Sequence, residues 1–420
     1  MNASPSGPHT ATHTAGNLAL ALGLLWLAGN ALRLPILAVP PVINTMQADL
    51  GMSGTQVGIL SGLPVVLFAA VALPGSLMIA RLGAVPALMV GLLIAALGSG
   101  LRLFVDGVGM LYAATIILGA GIAVMQPSLP AVVRQWTPLH IGLATAVFTN
   151  GLIVGEIIPV ALMLPVVMPA VEGSWRAALA FWALPLVAIA LLILFTRPRP
   201  AAPAAAGGAP ARAHWWPDWR HPHVWRPGLI LGSANGAYFG GNTFLPGYLN
   251  SIGHPDLVGA ALTALNLGQL PASLLLLVIA SRIERRAWPF VALGVGTILC
   301  LAGIVATAGT WTVVFAAGLG FCAAGTLVLS LTLPPLLRPP ADVAPTSAAM
   351  FAIGYSQAML MSVLGGAAWD LSGTVASAFV VIALGVVPLL LLPATITFKS
   401  AAVTGPVHAG GSAGSDKASP

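Results

Sequence analysis

Apolar runs close to the ~20 residues needed to cross a bilayer follow one another along the chain, and the short stretches between them hold nearly all of its charges. The pattern predicts twelve spanning segments, at 18–44, 55–80, 86–104, 109–133, 141–167, 177–196, 225–249, 257–280, 288–306, 311–335, 346–368 and 374–396. Each run is continuously apolar, without the in/out alternation of a lipid-facing strand, so the segments are expected to be helices. Pro and Gly are spread through them, as membrane helices tolerate where close packing or a kink is needed.

One stretch, 197–224, interrupts the pattern after the sixth run and divides the spans six and six. Its Pro/Ala-rich first part reads as a semi-rigid linker, and Trp215, Trp216, Trp219 and Trp225 with nearby Arg and His suit the headgroup layer. Residues 1–17 and 401–420 read as disordered tails, leaving six-helix halves at 18–196 and 225–400. A constant offset of 201 residues superposes Val57-Gly58 on Val258-Gly259, Arg81 on Arg282, Gly119 on Gly320 and Thr145 on Thr346. Shared Gly and Val would mean little in so apolar a chain, but the rare arginine closing spans two and eight makes the offset evidence of duplication. The expected fold is therefore all-α and integral to the membrane, with two pseudo-symmetric halves.

Composition agrees: 58% of the residues are hydrophobic and 6% charged, too few polar groups to cover a soluble fold. The formal charge of +6 could suggest nucleic acid, but the location of the positives decides otherwise. With the N-terminus inside, Arg81, Arg134, Arg282, Arg285 and Arg286 and nearly all other basic residues fall in cytoplasmic segments, and Arg33, Arg102 and Arg176 are the exceptions. Both termini are thus expected in the cytoplasm, and no nucleic-acid partner is expected. A P-loop cannot be formed with Lys399 and Lys417 as the only lysines, which removes ATP as the energy source. No cofactor, metal centre or catalytic cluster is expected: His221 and His223 have ligand spacing but no third ligand, and Cys300 and Cys322 read as packing residues.

At this point several stretches resemble the cyanate/2-nitroimidazole permease branch of the major facilitator superfamily. They are LRLPILAVPP in span one, GLPVVLFAAVALPGSLMIARLG through span two, GSGLR ending span three, GAGIAVMQPSLPAVVR in span four, FLPGYL in span seven and SAAMFAIGYSQAMLMSVLGGAAWDLSG in span eleven. The loop after span two carries Ala80 before Arg81 where the family has Asp, and Phe244 stands before Leu245-Pro246 where the branch is more aromatic. The resemblance implies a monomeric secondary transporter of the bacterial inner membrane, moving a small anionic or polar nitrogen-containing solute by alternating access, driven by the solute's own gradient or by protons. Efflux of drug-like heterocycles such as nitroimidazoles is the alternative within transport. A non-transporting receptor or scaffold on the same fold is the alternative outside it, and enzymatic activity is not expected.

An ionisable residue in mid-span costs at least ~2.5–3.5 kcal/mol to insert and is a functional candidate by default. Arg33, which matches the branch's Leu-Arg, is placed to attract a small anion and hold it by planar bidentate hydrogen bonds. Pairing with Glu156 for structure, or snorkelling, is the competing duty. Glu156 lies at a similar height in span five and is the candidate proton carrier, or equally a static partner of Arg33. Asn235, Tyr238 and Asn242 form one polar face of span seven, for which substrate lining competes with inter-helix hydrogen bonding. Asn30, Gln126 and Tyr355 complete the candidate lining, with Asn266 and Gln269 sharing a face of span eight. Arg81, Arg102, Arg134 and Arg282 are assigned structural or gating duty, with snorkelling or packing against a loop as the expected role of Arg102.

Overall fold

A computed structural model describes residues 8–196 apart from 71–77 and 80, and residues 219–396 apart from 284, 308 and 339. Among them there are helices and connecting turns and no strand. Twelve spans, α1 to α12, follow in chain order. The first, α1, is broken: Pro8–Ala31, Leu34–Leu37, the turn Pro40–Val42, and Ile43–Leu50. Then come α2 (Gly54–Ala70), α3 (Ala84–Leu101), α4 (Val108–Trp136), α5 (Ile141–Leu162, extended by Met163–Val167 and Met168–Ala170) and α6 (Trp175–Phe181 and Ala183–Thr196). The second set is α7 (Pro222–Ser251), α8 (Val258–Leu267 and Gln269–Ile283), α9 (Trp288–Ala306), α10 (Thr310–Leu337), α11 (Pro340–Ser372) and α12 (Ala376–Leu391).

Ten of these are long and apolar enough to cross a membrane. The exceptions have different reasons. Within the described residues α2 is shorter, with Gly54–Phe68 as its apolar part. Helix α7 is long but polar, and from Ile230 to Leu249 every side chain is buried in protein. A helix shielded from lipid by its neighbours need not be apolar, so its Asn, Ser and Gly content is compatible with a central place. The first helix begins at Pro8, inside the segment expected as a disordered tail, because a continuous helix carries the chain out of the apolar run with no breaker between Pro8 and Ala31. Most of the 197–224 linker and the tail from 401 lie outside the described residues.

Small residues let the backbones touch. A Cβ on Gly151 of α5 would lie 2.2 Å from the Trp26 carbonyl oxygen of α1, and one on Gly155 would lie 2.5 Å from that of Asn30. With no hydrophobic drive between helices in lipid, such van der Waals contact supplies the association. The duplication also appears in packing. Gly119 of α4 abuts Pro64 of α2, and Gly320 of α10 abuts Leu265 of α8, each member 201 residues after its counterpart.

The two ends of the bundle differ. At the end away from the chain termini, α2 packs on α11 backbone to backbone, Gly259 of α8 sits near Leu164 of α5, and Asn44 of α1 donates to the Pro246 carbonyl of α7 at 2.9 Å. At the end that carries the termini, Ile141 to Asn150 of α5 is exposed on nearly every side, with Ala144 the one buried residue. The bundle is closed at the far end, while at the near end α5 is held by α1, with Gly29 against the Phe148 backbone and Trp26 Nε1 donating to Asn150 Oδ1 at 3.0 Å, and is otherwise exposed.

Candidate functional site

The break in α1 creates the site. Pro35, Pro40 and Pro41 lack the amide proton that would continue the helical ladder, so the chain turns tightly and the Arg33 carbonyl takes both the Ile36 and Leu37 amides. The Val39 amide bonds to Ile36, which leaves the Pro35 carbonyl without its i+4 partner. Arg102 of α3 fills that gap: Nη1 donates to the Pro35 oxygen at 3.0 Å and Nη2 to Thr115 Oγ1 at 3.3 Å. Of the two roles expected for Arg102, snorkelling is therefore corrected. It is 1% exposed and works as an internal staple, because a freed buried carbonyl is a better partner for a guanidinium than a distant interface. Arg102→Leu orphans that carbonyl and is expected to cost about 1–3 kcal/mol, read as a lower melting temperature of the purified protein.

Across the break, Gly155 brings α5 close enough for Glu156 to reach Arg33, with Nε 3.2 Å from Oε1 and both side chains largely buried. The approach is an ion contact without hydrogen-bond alignment, and Arg33 Nε and Nη1 are buried with no hydrogen-bond acceptor among the described residues. The other carboxylate oxygen, Oε2, accepts from Gln269 Nε2 at 2.6 Å. Gln269 follows the discontinuity of α8 at Gly268, where a Cβ would run into the Ala317 carbonyl of α10. The guanidinium carbon of Arg33 lies 5.7 Å from the ring of Phe68 on α2 and 5.9 Å from that of Phe239 on α7, distances at which a cation is attracted to an aromatic face. Tyr355 of α11 packs edge-on against Phe68, with centroids 5.3 Å apart.

The polar face of α7 is tied to α8. Tyr238 donates to Asn266 Oδ1 at 2.6 Å, and Asn266 Nδ2 donates to Asn242 Oδ1 at 3.0 Å. Asn235 is buried with Nδ2 unpartnered among the described residues, and Asn30, also buried, donates to the Trp26 carbonyl and leaves Oδ1 unpartnered. Six spans thus meet around Arg33 and Glu156: α1, α2, α5, α7, α8 and, through Tyr355, α11. Gln126 is half-buried on α4, and no hydrogen bond or ion pair joins it to this cluster among the described residues. Arg81, Arg134 and Arg282 are exposed at the near end of the bundle, away from the cluster.

Two features escaped the sequence reading. The aromatic walls, Phe68 and Phe239, are indistinguishable in sequence from any other apolar residue of a span. The second is a contact at the far end, where Asp370 of α11 accepts from the Gly54 and Thr55 amides and the Thr55 hydroxyl of α2. A signal for it did exist, since a carboxylate in the last turn of a helix opposes that helix's own dipole.

A family model described as Major Facilitator Superfamily matches residues 20–369. The chain is 28% identical over 273 residues to the cyanate transport protein CynX of Escherichia coli (strain K12), covering 63% of this chain and 67% of that one. It is 27% identical over 327 residues to the 2-nitroimidazole transporter of the same organism, covering 75% and 79%. Among solved structures, a bacterial homolog to the human lysosomal transporter Spinster, inward-facing and unoccupied, superposes with a TM-score of 0.72 at 15% identity, covering 90% of this chain and 96% of that one. The broken first span, the polar central helix and the buried ion pair thus sit in a fold shared with known carriers, and the chain belongs to the major facilitator superfamily of membrane transporters.

Proposed function

We propose that this transporter moves a small anion, or a small polar nitrogen-containing solute of cyanate-like size, by alternating access. The observation that carries the reading is Arg33: an always-charged group at the break of α1, largely buried, with two donor nitrogens lacking acceptors among the described residues and one carboxylate in contact but poorly aligned. Buried donors without acceptors are costly, and a small anion against the guanidinium supplies the acceptor that the unaligned Glu156 does not. The names of the two Escherichia coli relatives, a cyanate and a nitroimidazole transporter, support solutes of this size. Glu156 is the proton carrier in this reading: an anion that takes over Arg33 leaves the carboxylate without its counter-charge and ready to accept a proton, so solute and proton cross together. In this reading the near end, with its excess of basic residues, faces the cytoplasm of a bacterial-type inner membrane, and the protein acts as a monomer.

The aromatic surroundings of Arg33, formed by Phe68, Phe239 and Tyr355, favour a second reading, export of a planar heterocycle that stacks on these rings. A thermal-shift series on the purified protein separates the two. Cyanate, nitrate, small carboxylates and nitroimidazoles are each titrated. A ligand at 100 times its dissociation constant stabilises the native state by about 2.7 kcal/mol, an easily read rise in melting temperature. Stabilisation by the anions supports the first reading. Stabilisation by uncharged heterocycles alone replaces it with the second.

A further inference from the structure

Helix α2 begins with a reciprocal cap of its own. Ser53 Oγ accepts from the Gln56 amide at 3.2 Å and Gln56 Oε1 accepts from the Ser53 amide at 3.0 Å, while the first helical bond runs from Val57 to the Ser53 carbonyl. Of the four amides that a helix leaves unsatisfied at its start, this arrangement takes two and leaves those of Gly54 and Thr55. Both are taken by one carboxylate from the other half of the protein. Asp370 Oδ1 accepts from Gly54, and Oδ2 accepts from Thr55 at 2.8 Å and from the Thr55 hydroxyl. Asp370 lies in the last turn of α11, against the dipole of its own helix but in line with that of α2. The contact it closes is tight: a Cβ on Gly366 would lie 2.1 Å from the Gly54 carbonyl oxygen, and one on Gly58 would lie 2.2 Å from that of Ser362.

We propose that Asp370 is the latch of the far-side gate, a carboxylate on α11 that caps α2 only while the two halves are closed at that end. The inference rests on the alternating-access reading above. Opening the gate pulls α2 from α11, and the Gly54 and Thr55 amides then exchange a charge-assisted acceptor for water. The latch therefore biases the resting protein toward the closed far side without touching the solute. The glycines are the second part of the device, since they let α2 and α11 meet flush and separate without interlocking side chains.

The test uses a reporter beneath the gate. Ser61 lines a small cavity below the contact with Pro40, Leu60, Phe239 and Asn242. In full-length protein carrying Ser61→Cys, modification by a membrane-impermeant maleimide applied from the far side is timed, with the unmodified chain as control for Cys300 and Cys322. Losing a charge-assisted cap is expected to raise the rate at least about tenfold in Asp370→Asn and Asp370→Ala, and about threefold in Thr55→Val, which keeps its shape and its amide. Unchanged rates in the variants that retain the parent's melting temperature overturn the latch, with Thr55→Val as the deciding variant if Asp370 substitutions fail to fold. Solute-induced thermal shifts on the parent keep the two ideas apart. Unchanged labelling with an intact solute response sinks the latch alone, whereas faster labelling with no stabilising solute upholds the latch and removes the proposed solute class.

Discussion

Arg33→Ala is expected to reduce solute affinity by about 10²–10⁴-fold and to bring uptake into proteoliposomes to background. The estimate follows from the site. Two charge-assisted hydrogen bonds are worth about 1.5–3 kcal/mol each, and about 1.4 kcal/mol is a factor of ten. Alanine also leaves Glu156 buried without its counter-charge, with Gln269 donating to it, so a solute anion would meet an unbalanced negative charge. Arg33→Lys restores the charge and not the planar fork, and is expected to recover part of the affinity while losing discrimination between planar and tetrahedral anions. Paired measurements decide it, uptake and solute-induced melting shift on the same preparations. Normal uptake by a folded Arg33→Ala protein would show that the solute is held elsewhere.

Removing the carboxylate should be costly in a different way. Glu156→Leu leaves the Arg33 guanidinium in a buried setting without its counter-ion, for which about 3–5 kcal/mol is the usual penalty. The double variant Arg33→Leu/Glu156→Leu removes both charges and is expected to melt close to the parent, or above it, while transporting nothing. An anion that binds Arg33 should also restore much of the lost stability of Glu156→Leu, because it supplies the missing negative charge. The neutral Glu156→Gln keeps the size of the side chain and tests coupling: uptake by this variant should lose its dependence on pH and its accumulation against a gradient. Retention of both would leave Glu156 as a static partner of Arg33.

Helices, their approximate limits and the duplication were legible in the sequence because they rest on local quantities. A run of apolar residues reports its solvent wherever it is placed, and a duplicated unit keeps its spacing. The 201-residue offset that pairs Gly119 with Gly320 in sequence pairs their packing partners, Pro64 and Leu265, in space. The scarcity of buried charge likewise pointed to Arg33 and Glu156 before any contact was known, since each is too expensive to insert without a reason.

What local pattern could not supply was the partner of each group. Arg102 lies near an interface in sequence terms, which suggested snorkelling, yet the structure turns it inward to a carbonyl freed by prolines 67 residues earlier. Asn266 and Gln269 shared a face in the sequence, but their bonds to Tyr238, Asn242 and Glu156 depend on how α8 meets α5 and α7. Asp370 reaches α2 across 315 residues of chain. By itself the sequence determined that this chain is a duplicated bundle of membrane helices with one arginine and one glutamate at its centre. Tertiary structure alone decided which donors stay open on that arginine and which end of the bundle is shut. Hydrophobicity is a property of a segment, whereas a hydrogen bond between spans is a property of two segments and the angle at which they cross.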